Sequence, residues 1–106
     1  MSVYFVVNAA ITNPGLLAEY MAEVAPVLSQ IPCKVLVVDD DSEVIEGQPA
    51  GARTVILEFP SRQEFNEFYN SPQYEPLLGK RLAATEGFAL LVSGLSADSS
   101  GPAPTT

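Results

Sequence analysis

Four segments of this chain are apolar at successive positions, where a half-exposed strand would alternate. Residues 3–11 (VYFVVNAAI) are nearly unbroken, and Val35–Val38, Val55–Leu57 and Phe88–Val92 are apolar throughout. Their β-branched and aromatic content reads as strands. An antiparallel sheet with one wet face shows apolar and polar residues in turn, so both faces of this sheet need cover. The helices of one short chain shield one face. The other would expose an apolar patch larger than the few hundred Å² usual for a monomer. Hiding about 1,000 Å² at roughly 25 cal/mol per Å² is worth tens of kcal/mol before association costs. A twofold pairing of sheets is the simplest solution, and the reading predicts a homodimer.

The connecting segments carry helix signals. Asn13-Pro14 marks an N-cap and first helical position. Leu16, Leu17, Tyr20, Met21, Val24, Val27, Leu28 and Ile31 follow at helical spacing, with Pro26 expected to kink the helix and Pro32 to close it. Lys34–Val38 is the second strand, Asp39-Asp40-Asp41-Ser42 a bulge or bend, and Glu43–Glu46 a resumed extended stretch. Gly47–Gly51 is a turn, and Arg53–Phe59 the third strand. Ser61 and Glu64 form a capping box for a helix with Phe65, Phe68 and Tyr69 on its apolar face. Ser71-Pro72 predicts the start of another, with Tyr74, Leu77, Leu78 and Leu82 on one side. Gly87 resets the chain before the last strand. The order β-α-β-β-α-α-β predicts an α+β, ferredoxin-like fold with a four-stranded antiparallel sheet over residues 1–94. Residues 95–106, rich in Ser, Gly, Pro, Ala and Thr, are expected to be a disordered tail.

Composition narrows the function. The 106 residues suit one domain, and their net charge is −8 with Lys34, Arg53, Arg62, Lys80 and Arg81 as the cations. Nucleic acids and anionic membranes demand clustered Lys and Arg, so neither is an expected partner. There is no His and one Cys. An intrachain disulfide is impossible, and the usual ligands of zinc and other transition metals are missing. No metal and no cofactor are expected. With no charged region before the first apolar run and no apolar stretch near 20 residues, the expected location is the cytoplasm.

The segment Glu58–Leu78 (EFPSRQEFNEFYNSPQYEPLL), with Thr12–Tyr20 (TNPGLLAEY) and Val44–Gly47 (VIEG), resembles domain-of-unknown-function family 1330 of the dimeric α/β-barrel superfamily. The resemblance covers about residues 3–94. It implies a ferredoxin-like homodimer with a pocket in each subunit between sheet and helices. The wider superfamily includes cofactor-free oxygenases, cyclases, lyases and isomerases, an analogy at the level of fold. Family members usually carry Gly-Gly before the second strand and a basic residue near its end. Here those positions read Ile31-Pro32-Cys33 and Val38-Asp39-Asp40-Asp41, so acid stands where a cation is expected.

Several residues could carry chemistry. Glu58 sits in an apolar strand, where a carboxylate tends toward a raised pKa and suits general acid–base work. It could equally pair with Lys34 or a backbone donor. Taking the first and third strands as central, adjacent and parallel puts Asn8 and Glu58 together near their C-terminal ends. Continuous pairing around the turn at 47–52 would bring Asp41, with Asp39 and Asp40 nearby, close to Glu58, and two close carboxylates share a proton. The bland alternative is a solvated acidic bend. Tyr69 and Tyr74 could line a pocket mouth and donate to a ligand oxygen, or be core aromatics. Tyr4 and Tyr20 are weaker cases. Arg81 and Lys80 could hold an anionic group or merely solvate a helix face. Cys33 reads as a small buried hydrophobe.

The expectation is a cofactor-independent enzyme of lyase, isomerase or cyclase type acting on a small organic, aromatic or polyketide-like metabolite. In it Glu58, Asp39 or Asp41 moves a proton, and Asn8 with a tyrosine stabilises an enolate-like oxygen. Tyr4, Tyr69, Tyr74 and Arg81 bind substrate. The alternative is a non-catalytic small-molecule binding or pathway accessory protein.

Overall fold

The computed structural model describes residues 2–95, so the expected tail lies, apart from Leu95, outside the described residues. Seven elements follow one another: β1 (Val3–Ile11), α1 (Pro14–Ser29), β2 (Lys34–Asp39), β3 (Arg53–Phe59), α2 (Arg62–Tyr69), α3 (Glu75–Ala84) and β4 (Thr85–Ser93). The strands form one antiparallel sheet in the order β2-β3-β1-β4. This is the ferredoxin-like α+β arrangement that the element order predicts.

Parity along β1 divides its side chains between two environments. Val3, Phe5, Val7 and Ala9 are buried, and the residues between them are only half-buried. The buried set packs with Leu57 and Phe59 of β3, with Val24, Phe65, Phe68 and Leu77 from the helices, and with Tyr74 from the turn before α3. The other face carries Tyr4, Val6 and Asn8, beside Thr54, Ile56 and Glu58 of β3 and Phe88, Leu90 and Val92 of β4. No helix covers it. Phe88, Leu90 and Val92 are 49%, 52% and 40% exposed, the apolar surplus that consecutive hydrophobic residues imply.

Local chemistry explains the helix ends. The Asn13 side chain accepts from the Leu16 N–H, and Pro14 occupies the first turn. Pro26 removes one backbone donor without ending α1. Ser61 accepts from the Glu64 N–H to open α2. The third helix begins later than Ser71-Pro72 predicts. Ser71 instead closes a turn, donating to the Phe68 carbonyl and accepting from the Tyr74 N–H. Pro76 explains the shift, because proline fits the first helical turn and would break an interior one. Ala84, at the end of α3, accepts from the N–H groups of Thr12 and Asn13 and ties that end to the start of α1.

Three further expectations need correction. Residues 43–46 form no strand. Gly87 is not a reset but lies inside β4 opposite Ala9, where a Cβ would stand 2.1 Å from the Asn8 carbonyl oxygen. And β1 and β3 are antiparallel, with Tyr4 opposite Glu58 and Asn8 opposite Thr54. Asn8 and Glu58 therefore stand toward opposite ends of the sheet.

Candidate functional site

The β2–β3 register decides which charged groups can meet. Lys34 pairs with Glu58, a bulge intervenes between Val35 and Val37, and Asp39 pairs with Thr54. A long connection, rather than a tight hairpin, joins the strands, and Ser42 bonds back to Ala52. Asp41 is thus carried to the far end of β3 from Glu58, and the shared-proton pair does not form. Asp39 is occupied locally, accepting from the Asp41 N–H at 2.8 Å.

Glu58 lies on the helix-free face and accepts a 3.3 Å hydrogen bond from the Tyr4 hydroxyl. The carboxylate's charge, with desolvation and the hydrogen bond adding to it, raises the Tyr4 pKa. Glu58 also borders an open depression of about 340 Å³ with Ser2, Ile31, Pro32, Cys33, Lys34 and Pro60. Asn8 is fully engaged in holding the β3 entry. Its Nδ2 donates to the Gly51 and Arg53 carbonyls and to Thr54 Oγ1, while its Oδ1 accepts from Ala50 and Gly51 N–H groups. No donor is left over for a substrate oxygen.

Polar groups converge on the opposite face, between the sheet and α1 and α3. A cavity of about 90 Å³ is walled by apolar side chains including Phe5, Val7, Leu17, Val24, Val38 and Leu57. Arg53, Tyr20, Tyr74, Arg81 and Thr85 are its polar lining residues. The Tyr20 and Tyr74 hydroxyls lie 2.9 Å apart, and Arg81 Nε donates to Tyr74 at 3.3 Å. The Arg81 guanidinium also sits 5.7 Å from the centre of the Phe5 ring, within cation–π range. Desolvation, then the neighbouring Tyr74, pushes the Tyr20 pKa far up, against a smaller opposing pull from Arg81 and Arg53. Tyr20 is therefore a hydrogen-bond donor at neutral pH and not a base.

Arg53 is buried at 7% exposure, with its guanidinium paired to Asp40 and directed at Met21 Sδ, 3.2 Å away. The acidic stretch after β2 thus answers a cation delivered by the next strand. Lys80 turns away from the cavity toward Glu19 and Glu23.

Of the residues singled out from sequence, Tyr74, Arg81 and the weaker case Tyr20 line the cavity. Tyr69 belongs to the aromatic core, stacked on Phe65 at 5.2 Å. Tyr4, Asn8 and Glu58 face the other side, Asp39 ends β2 exposed, and Asp41 stays on the exposed bend after it. Sequence reasoning missed Arg53 and Met21 and underrated Tyr20. Arg53 shares parity with Val55, Leu57 and Phe59, and that alternation was the available signal. Cys33 is half-buried, and desolvation pushes its thiol up to about 11. Among the described residues no cluster of His, Cys, Asp and Glu could hold a metal ion. No described helix is long and apolar enough to cross a membrane.

Solved structures share this architecture. A protein of unknown function from Rhodopseudomonas palustris superposes with a TM-score of 0.72 at 18% identity, over 90% of this chain and 83% of its own. SnoaB, a cofactor-independent oxygenase from Streptomyces nogalater, gives 0.61 at 13% identity, over 92% and 97%. A dimeric ferredoxin-like protein of unknown function from Thermobifida fusca gives 0.61 at 10%, over 88% and 91%. At these identities the likeness is one of fold. No curated protein matches the sequence. The family model of a domain of unknown function, DUF1330, matches residues 2–95, and the chain belongs to that family.

Proposed function

We propose that the cavity behind the sheet takes a compact, mainly apolar metabolite by an oxygen-bearing end and stabilises enolate-like charge there without a cofactor. The observation that carries this reading is the Tyr20–Tyr74–Arg81 cluster at the edge of a mainly apolar cavity. Fixed donors aimed at a developing oxyanion are an effective catalytic device in a water-poor site. Reactions of lyase, isomerase or cyclase type pass through such charge, and the fold is shared with a cofactor-independent oxygenase. The cavity, at about 90 Å³, is smaller than the roughly 300–1,000 Å³ of drug-sized sites. A small occupant fits it directly, and a larger one needs Met21 or Arg81 to swing aside.

The second reading is binding without turnover. It is favoured by the cavity lining, which includes no Asp or Glu to accept a proton. Proton–deuterium exchange at carbons next to a carbonyl, followed by NMR for a panel of small ketones and acids, separates the two. Exchange above the buffer rate that falls in Tyr74→Phe and Arg81→Met supports catalysis. Ligand-induced shifts without exchange support binding alone. Neither shifts nor exchange would sink both.

We further propose that a second copy of the chain covers the helix-free face. Phe88, Leu90 and Val92 offer the apolar surface, and a structural neighbour is described as dimeric.

A further inference from the structure

We propose that the cavity selects a monoanion, a carboxylate or enolate on a compact apolar body, with Arg81 as its charge partner and a tyrosine hydroxyl as its second donor. The inference rests on the reading of the cavity as a small-molecule site and adds the chemical class of its occupant.

Hydrogen-bond accounting around Tyr74 supplies the argument. Each tyrosine hydroxyl has one proton to donate, and arginine has five donors and no acceptor. Tyr74 Oη accepts from Arg81 Nε and shares one proton with Tyr20 Oη. If Tyr20 donates in that pair, the Tyr74 proton is left over. If Tyr74 donates, the Tyr20 proton is left over. In either arrangement one hydroxyl proton has no acceptor among the described residues. The Nη groups of Arg81 have no protein acceptor there either, and they reach solvent, because no buried side-chain nitrogen or oxygen among the described residues lacks a partner. The cluster holds more donors than acceptors, at the edge of an apolar space.

Charge accounting points the same way. Two guanidinium groups line the cavity, and Asp40 neutralises one of them, Arg53. Lys80, beside Arg81 in sequence, is paired with Glu19 and Glu23. Arg81 has no carboxylate within ion-pair distance among the described residues. It is half-buried, so water screens its charge only partly. A ligand oxyanion would answer both surpluses at once through charge-assisted hydrogen bonds. The chain as a whole, at −8, repels anions, so selection depends on this local group and not on long-range attraction.

A matched series tests it: 3-methylbutanoate, its primary amide and its alcohol, and benzoate with benzamide, titrated into the full chain at pH 7. Binding is read from the NMR shifts of the Leu17 and Val24 methyl groups, which line the cavity. The acids should bind roughly tenfold or more tightly than their amides. Arg81→Met, which keeps an apolar stem against Phe5, should bring that ratio near one, and Arg81→Lys should restore part of it. Equal affinity for acid and amide in the unmodified protein, or an undiminished preference in Arg81→Met, overturns the anion inference and leaves the cavity reading intact. Silence of the cavity methyls to every member of the series overturns both.

Discussion

The hydroxyl oxygens of Tyr20 and Tyr74 stand 2.9 Å apart although 54 residues separate them in sequence. One comes from the middle of α1, the other from the turn that opens α3. Phe68 packs against Tyr74 at 4.4 Å between ring centres, and Tyr74 is 1% exposed. Removing the Tyr74 hydroxyl would break two bonds at once, stranding Arg81 Nε and taking away the partner of the Tyr20 hydroxyl. Tyr74→Phe is therefore expected to cost about 1–3 kcal/mol, more than Tyr20→Phe. The double variant should cost clearly less than the sum of the singles, because both remove one shared bond. Urea denaturation measures the cycle, and strict additivity would show that the hydroxyls do not interact.

The three consecutive aspartates should separate by stability. Asp40 answers the buried guanidinium of Arg53, whereas Asp41 is exposed and accepts no side-chain bond among the described residues. Asp40→Asn is expected to lower stability by about 1–2 kcal/mol, discounted for the exposure of Asp40 itself. Asp41→Asn should stay within about 0.5 kcal/mol of the parent. Thermal melts at pH 7 compare them, and equal effects would count against the Arg53 pairing.

Two glycines offer a contrast between crowding and conformation. A Cβ at Gly87 would meet the Asn8 carbonyl oxygen at 2.1 Å and the Ala9 Cα at 2.6 Å. Gly47 has open space around it but a φ of +89°. Gly87→Ala should destabilise by about 3 kcal/mol or fail to fold, since backbone cannot move aside cheaply. Gly47→Ala should cost about 1 kcal/mol through backbone strain alone. A reversed ranking in denaturation midpoints would refute the close β1–β4 approach.

The Cys33 thiol should be sluggish. Desolvation lifts its pKa from the ordinary 9.0 to about 11, which leaves roughly a hundredfold less thiolate near pH 8. Alkylation of the native protein should be slower than that of the urea-unfolded chain by about that factor. The sign for stability follows. The folded state prefers the protonated thiol, so the contribution is fully present below pH 9 and is lost as pH rises through 11. Equal labelling rates in the two states would contradict the burial.

Pairing of helix-free faces predicts sedimentation as a dimer at micromolar concentration. Leu90→Glu, placing charge at the middle of the exposed apolar row, should shift the equilibrium toward single chains without changing the far-ultraviolet circular dichroism. A parent chain that sediments as a monomer would remove the second copy from the account.

Hydrophobic runs and caps made the elements legible, and β1 and β3 fall where the sequence places them. The site was legible only in fragments. Its geometry depends on register, and a bulge at Leu36 together with the long connection before Arg53 moves the acidic stretch to the far end of β3. No local pattern announces a bulge in a run as uniform as Lys34–Val38. Glu58 drew attention as the lone charge inside an apolar strand. Arg53 stands at that strand's first position and was counted only among the cations. Counting back by twos from Phe59 assigns Arg53 to the helix side and Glu58 to the opposite one. Pro76 likewise held the start of α3 in plain view, through a rule about where proline can stand.

The cavity's outer wall includes Val35 and Val38 of β2, a six-residue edge strand held by β3 alone. Its single ladder is already interrupted by the bulge. The β3 and β1 walls beside it are paired on both sides. If the cavity takes an occupant as proposed, this short margin is a second place, beside Met21 and Arg81, where the wall can give way to a larger one.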